Sequence, residues 1–221
     1  MTDGAAMTDF AAMRHAMVVS QLRPNAVSDP RVIAAMAGVP REHFLPAELA
    51  ALAYRDRPLP LGNGRALNQP EATGRLLSEA RVRADDKVLL IGAAGGYTAA
   101  LLATLAGLVV AVENDPALLA IARSALVGST NVTLVEAPLA EGAPSEAPYN
   151  LIVVDGAVEQ LPEVLIDQLA PGGRLVTGIV DRGVTRLALG TRTAGGFGLA
   201  DFADVDCVTL PGFARPAVFA F

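Results

Sequence analysis

From Val88 to Val112 the chain carries no charged side chain, and glycines interrupt the start of the run at Gly92, Gly95 and Gly96. A stretch this apolar must leave water, either as a membrane-spanning helix or as the interior of a globular domain. The glycine group and the β-branched residues at both ends argue against one continuous helix. A buried strand over 88–91, a glycine turn, a helix over 97–106 and a second strand over 109–113 account for the same residues. Parallel strands buried on both faces read as uninterrupted apolar runs.

The flanking sequence extends that alternation. Further strands are predicted at 132–136, 151–155 and 174–180. Asp115-Pro116 opens one helix, and another spans 162–169 until Pro171-Gly172-Gly173 stops it. Strand and helix in alternation indicate a mostly parallel α/β sheet. Segments 185–190, 206–210 and 217–221 read as antiparallel closing strands. Ahead of Lys87 the pattern is helical. Phe10, Met13, Met17 and Val18 share one face behind Thr8 or Asp9 as N-cap. Ser28-Asp29-Pro30 starts a second helix carrying Val32, Ile33 and Met36, closed by Gly38 and Pro40. A helical turn is expected at 48–53, then a proline- and glycine-rich loop through Gly64, then a helix from Pro70 that turns Leu76 and Leu77 inward. The chain divides into a helical N-terminal extension with its loop, 1–80, and a Rossmann-like α/β domain, 81–221.

Composition narrows the function. With 221 residues, 52% hydrophobic and 18% charged, the chain can bury a sizeable core. A net charge of −6, scattered arginines and Lys87 as the sole lysine argue against the basic face that nucleic acid requires. Cys207 is the only cysteine, which points to a reduced, cytoplasmic compartment. Asp3 and Asp9 near the start, with no apolar stretch there, argue against a leader peptide, and Met7-Thr8-Asp9 repeats Met1-Thr2-Asp3 as a second possible start. No membrane partner is expected, and the oligomeric state is open.

Glycine between strand and helix lets a ligand approach the backbone closely, and an acidic residue about twenty positions on can accept from ribose hydroxyls. Glu113, at the end of the second strand, stands at that spacing from Gly92. The alternative reading is tight strand–helix packing with Glu113 as a solvated strand end.

These features join others spread over most of the chain: Asp29-Pro30-Arg31-Val32, Val39-Pro40-Arg41-Glu42-His43-Phe44, Pro58-Leu59-Pro60-Leu61-Gly62, Gln69-Pro70, Gly92 to Leu102, Val112-Glu113, and Pro171-Gly172-Gly173-Arg174-Leu175-Val176. Together they resemble the protein-L-isoaspartate O-methyltransferase family; the match is poor after Val180. The resemblance implies a seven-stranded class I methyltransferase fold and S-adenosylmethionine as cofactor. It also implies methylation of isoaspartyl carboxylates in damaged proteins or peptides. It assigns cofactor contacts to Gly92, Ala93, Ala94, Gly96, Tyr97, Glu113, Asn114 and Leu139. The substrate-loop role falls to Asn68 and Gln69, with Asn68 holding the acceptor carboxylate through its amide.

Several positions depart from the family pattern. Leu90 replaces an acidic residue that helps hold the cofactor's amino-acid end. Ala94 replaces a glycine, while Gly95 is a glycine that the family often lacks. Pro138 stands where an acid receives the adenine amino group, with Glu136 or Glu141 as substitutes. Asn68 replaces a Ser or Thr, and Asp155 a neutral residue. Asp155 can bind a substrate amine, act as a base, or cap the turn after its strand. His15 and His43 read as packing or surface residues, and methyl transfer to an ionised carboxylate needs no strong base. Two other readings therefore stay open: methylation of another small acceptor, and a non-catalytic binding module.

Overall fold

The computed structural model describes residues 8–215; the two possible starts, Met1 and Met7, and the expected strand at 217–221 lie outside that range. Helix α1 (Phe10–Met17) continues as a π-helical turn over Val18–Leu22, and α2 (Pro30–Gly38) follows. Asp9 caps α1 by accepting from the Ala12 amide at 2.9 Å, and Asp29 caps α2 from the Arg31 amide at 2.8 Å. Tight 3-10 turns over Arg41–Phe44 and Ala47–Leu52 lead on to β1 (Leu59–Gly62), β2 (Arg65–Leu67) and α3 (Pro70–Ala80).

The pair β1–β2 corrects the expected loop. Asn63 and Gly64 take φ of 49° and 72°, the left-handed pair that a tight hairpin demands. The Asn-Gly signal was present, but the strands beside it are too short to show alternation.

The main sheet contains β3 (Lys87–Ile91), β4 (Leu108–Glu113), β5 (Val132–Glu136), β6 (Tyr149–Val158), β7 (Leu169–Asp181), β8 (Val184–Thr193) and β9 (Gly196–Ala203). Its order is β5-β4-β3-β6-β7-β8-β9, parallel through β7 and antiparallel beyond. Helices α4 (Tyr97–Leu105), α5 (Pro116–Ala125) and α6 (Glu163–Asp167) connect it. The uncharged run is thus β3, α4 and most of β4, and no helix among the described residues is long and apolar enough to cross a membrane.

Period-two alternation sorts the strand residues onto two cores. Val88, Leu90, Val109, Ala111, Leu151 and Val153 join one cluster, which the N-terminal helices also cover. Leu89, Ile91, Val110, Val112, Ile152 and Val154 join the other. Each fully buried Leu, Ile or Val contributes about 1.5–3 kcal/mol, so this central layer dominates the fold's stability.

The C-terminal third departs most from expectation. Strand β6 runs past Asp155 to Val158, so Asp155 does not cap a following turn. The predicted helix over 162–169 shrinks to α6, and Pro171-Gly172-Gly173 lies inside β7, where pairing with β6 shifts register and Gly172 takes φ 77°. Strand β9 was not foreseen, because Gly196 and Gly198 obscure its alternation. Segment 206–210 forms no strand; only Thr209 bridges, in parallel, to Ala157.

Asp115 links the hairpin to the sheet. Its carboxylate caps α5 from the Ala117 and Leu118 amides at 2.9 and 3.2 Å and accepts from Asn63 Nδ2 at 2.9 Å. The Asn63 bond, then the helix amides, holds its pKa below the usual carboxylate value against the opposing effect of burial. That stabilisation is complete above the unfolded pKa near ~3.9 and is lost as pH falls through the lower folded value. Asp115→Ala is expected to lose about 1–2 kcal/mol in urea unfolding at pH 7. Asp115→Asn should keep most of the cap and flatten the acid limb of a stability–pH curve.

Candidate active site

Glu113 ends β4 with no exposed surface. Arg65 grips it with both arms of a fork, Nε to Oε1 at 3.1 Å and Nη2 to Oε2 at 2.7 Å. The Ala94 amide donates to Oε2 at 2.6 Å, and the Asn114 and Asp115 amides to Oε1 at 2.9 and 3.1 Å. Glu113 is therefore a buried, fully partnered anion, not a solvated strand end.

The glycine turn explains the Ala94 contact. Gly92 and Gly96 take φ of 82° and 97°, and Ala94 is left-handed at 47°, which turns its N–H onto Glu113. Such a φ costs a non-glycine residue about 1–3 kcal/mol. The Gly92 and Ala93 amides both donate to the Val112 carbonyl at 3.0 Å. Gly95 has its own reason: a Cβ there would lie 2.0 Å from the Phe44 carbonyl oxygen. The turn before the helix is thus pressed against the Arg41–Phe44 segment.

Side chains of the same molecule fill the space over the turn. A Cβ on Gly92 would meet Leu210 at 3.1 Å and Arg65 Nη2 at 3.3 Å, and one on Gly156 would meet Leu210 at 2.5 Å. Leu210 is held there because its amide donates to the Ala157 carbonyl at 2.9 Å and the Ala157 amide to Val208 O at 2.7 Å.

Asp155 organises a second cluster. It is buried and accepts from Asn68 Nδ2 at 2.8 Å, from Thr73 Oγ1 at 3.4 Å and from the Thr98 hydroxyl. Asn68 Oδ1 accepts from the Val208 amide at 2.8 Å and the Cys207 thiol at 3.3 Å, so one amide stitches the loop to the C-terminal segment. Buried Arg41 donates to the backbone carbonyls of Asn68 and Ala53 and stacks 4.8 Å from the Tyr97 ring centroid. Burial pulls the Arg41 guanidinium below its ordinary pKa and pushes the Tyr97 phenol up to about 12.

The structure brings Gly92, Ala93, Ala94, Gly96, Glu113 and Asn114 together at the ends of β3 and β4. Tyr97 instead points into the first core cluster, edge-on to Phe44 with centroids 5.9 Å apart. Leu139 is buried in the second cluster. Gln69 lines a pocket of about 350 Å³ with Glu71, Asp204 and Asp206, whose carboxylates oppose an anionic acceptor there. Glu136 is exposed, 3.6 Å from Arg123. His15 and His43 are exposed on the N-terminal elements. A larger cleft of about 1070 Å³, between the Arg41–Phe44 turn, α4 and α5, holds none of the expected site residues. Arg65, Arg41, Thr73, Thr98 and Leu210 were missed, and a buried arginine has no local sequence signal.

Residues 13–212 match the family described as Protein-L-isoaspartate(D-aspartate) O-methyltransferase. The chain belongs to this family. A protein-L-isoaspartate O-methyltransferase of Methanoculleus marisnigri is 44% identical over 171 residues, 76% of this chain and 78% of that one. A Rhodopseudomonas palustris relative of the same name, numbered 1, is 43% identical over 85% of this chain and 78% of its own length. A solved protein-L-isoaspartate O-methyltransferase superposes with TM-score 0.76 at 26% identity, over 90% of this chain and 66% of that one. A Plasmodium falciparum structure described by that activity, in complex with S-adenosyl-L-homocysteine, shares the fold at TM-score 0.75 and 18% identity, over 92% of this chain and 98% of that one.

The family uses S-adenosylmethionine. The backbone here, with its left-handed glycine turn and the carboxylate at the tip of β4, fits that group. The side chains standing over it do not: Arg65 holds the carboxylate, and Leu210 occupies the approach to Gly92.

Asp155→Ala strands three donors and is expected to cost about 3 kcal/mol in chemical unfolding. The chain has three tyrosines and no tryptophan, and burial raises the phenol pKa of Tyr54, Tyr97 and Tyr149. Stability from these neutral phenols is complete below the unfolded pKa near ~10 and is lost as pH rises through the higher folded values. Absorbance at ~295 nm should therefore show no tyrosinate below about pH 11 in the folded chain, and titration near ~10 in denaturant.

Proposed function

We propose that this chain transfers a methyl group from S-adenosylmethionine to the side-chain carboxylate of isoaspartyl residues in damaged proteins or peptides. One observation carries the reading. The family match begins at residue 13, so it covers the helical extension and the 59–69 hairpin and loop as well as the nucleotide-binding strands. Relatives named protein-L-isoaspartate O-methyltransferase align over 76% and 85% of this chain.

An acceptor carboxylate is already ionised at neutral pH, so the protein need only position it and exclude water. Asn68 and Gln69, between β2 and α3, belong to the acceptor loop in this proposal; Asn68 positions that loop through its bonds to Asp155 and Val208, and Arg41 fixes its course. A buried, unpaired Cys207 suits a reducing compartment such as the cytoplasm.

The test supplies tritiated S-adenosylmethionine with paired isoaspartyl and aspartyl peptides. A base-labile methyl ester is expected on the isoaspartyl peptide alone. Asn68→Ala should lower kcat/KM by about tenfold or more, the scale of one lost polar contact; an unchanged rate would remove Asn68 from the acceptor site. Absence of any ester while S-adenosylhomocysteine binds saturably would defeat the repair reading.

A further inference from the structure

We infer that Arg65, backed by Leu210, sets the affinity of this chain for its cofactor by competing for the same site. The inference rests on the methyltransferase reading above.

The acceptor capacity of Glu113 carries the argument. A carboxylate offers about four lone-pair sites, and five N–H groups already point at this one, from Arg65 Nε and Nη2 and from the amides of Ala94, Asn114 and Asp115. No capacity is left for ribose hydroxyls. The three amides are fixed by the strand end and the turn, so Arg65 is the only donor that can leave. Its departure leaves three N–H groups on about four acceptor sites and so opens the carboxylate to a ribose hydroxyl.

Arg65 is also poorly settled where it lies. Its Nη1 is buried without a hydrogen-bond partner among the described residues, a standing penalty that leaving would relieve. It sits in three-residue β2, next to a turn whose Gly62, Asn63 and Gly64 all have positive φ. Glu113 stays partnered without it.

Leu210 acts through volume instead of charge. It packs against both Gly92 and Gly156, the two positions at the crevice between β3 and β6 where a missing Cβ would admit a ligand. The two competitors therefore predict different signatures. A guanidinium opposes a cationic sulfonium more than the neutral thioether left after transfer. A leucine opposes both alike.

Calorimetric titration of the full chain, Arg65→Ala and Leu210→Ala with S-adenosylmethionine and S-adenosylhomocysteine tests this, with urea midpoints to verify folding. Each variant is expected to bind S-adenosylhomocysteine at least about tenfold tighter than the parent. Arg65→Ala should also shift the affinity ratio toward S-adenosylmethionine, and Leu210→Ala should leave that ratio unchanged. If Arg65→Ala fails to fold, Leu210→Ala, which keeps the ion pair, decides alone. Affinities within about twofold of the parent in the folded variants overturn the inference but leave the proposed function standing where ester still forms. Failure of every form to bind either ligand overturns both.

Discussion

Buried negative charge at the C-terminal edge of the parallel sheet governs the rest of this structure. Glu113 ends β4 and Asp155 lies in β6, on either side of β3, and both are buried. An ionised carboxylate in such a place costs several kcal/mol unless it is paired and hydrogen-bonded. One short stretch supplies partners to both, with Arg65 on Glu113 and Asn68 and Thr73 on Asp155. The course of residues 65–73 over the sheet is therefore fixed by two charges. Through Asn68 Oδ1 the same constraint reaches the C-terminal segment and sets Leu210 over the glycine turn.

What could be read from the sequence follows the same division. Strands β3, β4 and the middle of β6 were legible because burial on both faces leaves an apolar signature in the residues themselves. Asp9, as an alternative to Thr8, and Asp115 were legible at helix starts, and Ser28-Asp29-Pro30 as a helix opening, because capping is a local bond. Partners distant in sequence were not. Arg65 meets Glu113 across 48 positions and Asn68 meets Val208 across 140, and no spacing rule links such pairs. The unusual Gly95 was visible as a departure, but its cause, the Phe44 carbonyl pressed against it, exists only in the fold. The glycines of β9 hid a strand for the opposite reason, since an edge paired on one side tolerates residues with no pattern to display.

Family membership and side-chain placement bear on different levels of the molecule. The backbone at the ends of β3 and β4 keeps the shape that a nucleoside cofactor requires, including a left-handed Ala94 where glycine would cost less strain. Net charge at the same place is small. Glu113 is neutralised by Arg65, and Leu90 is an apolar residue with no exposed surface. The scaffold is held by two apolar cores; Leu90 packs within the first, and Arg65 belongs to neither.

Stability alone does not account for the Arg65–Glu113 pair. Burying two charges costs about as much as their attraction returns, and apolar replacements of equal volume are often neutral or better. Glu113 already has three backbone donors, so the carboxylate keeps hydrogen-bond partners without a guanidinium. The pair also leaves Arg65 Nη1 without a partner among the described residues. An interaction that adds little net stability, carries an unmet donor and blocks a preformed cradle acts chiefly by selecting one arrangement of the loop over another. The residues that could adopt the other arrangement are those whose backbone is already poised at the hairpin turn, Gly62 to Gly64.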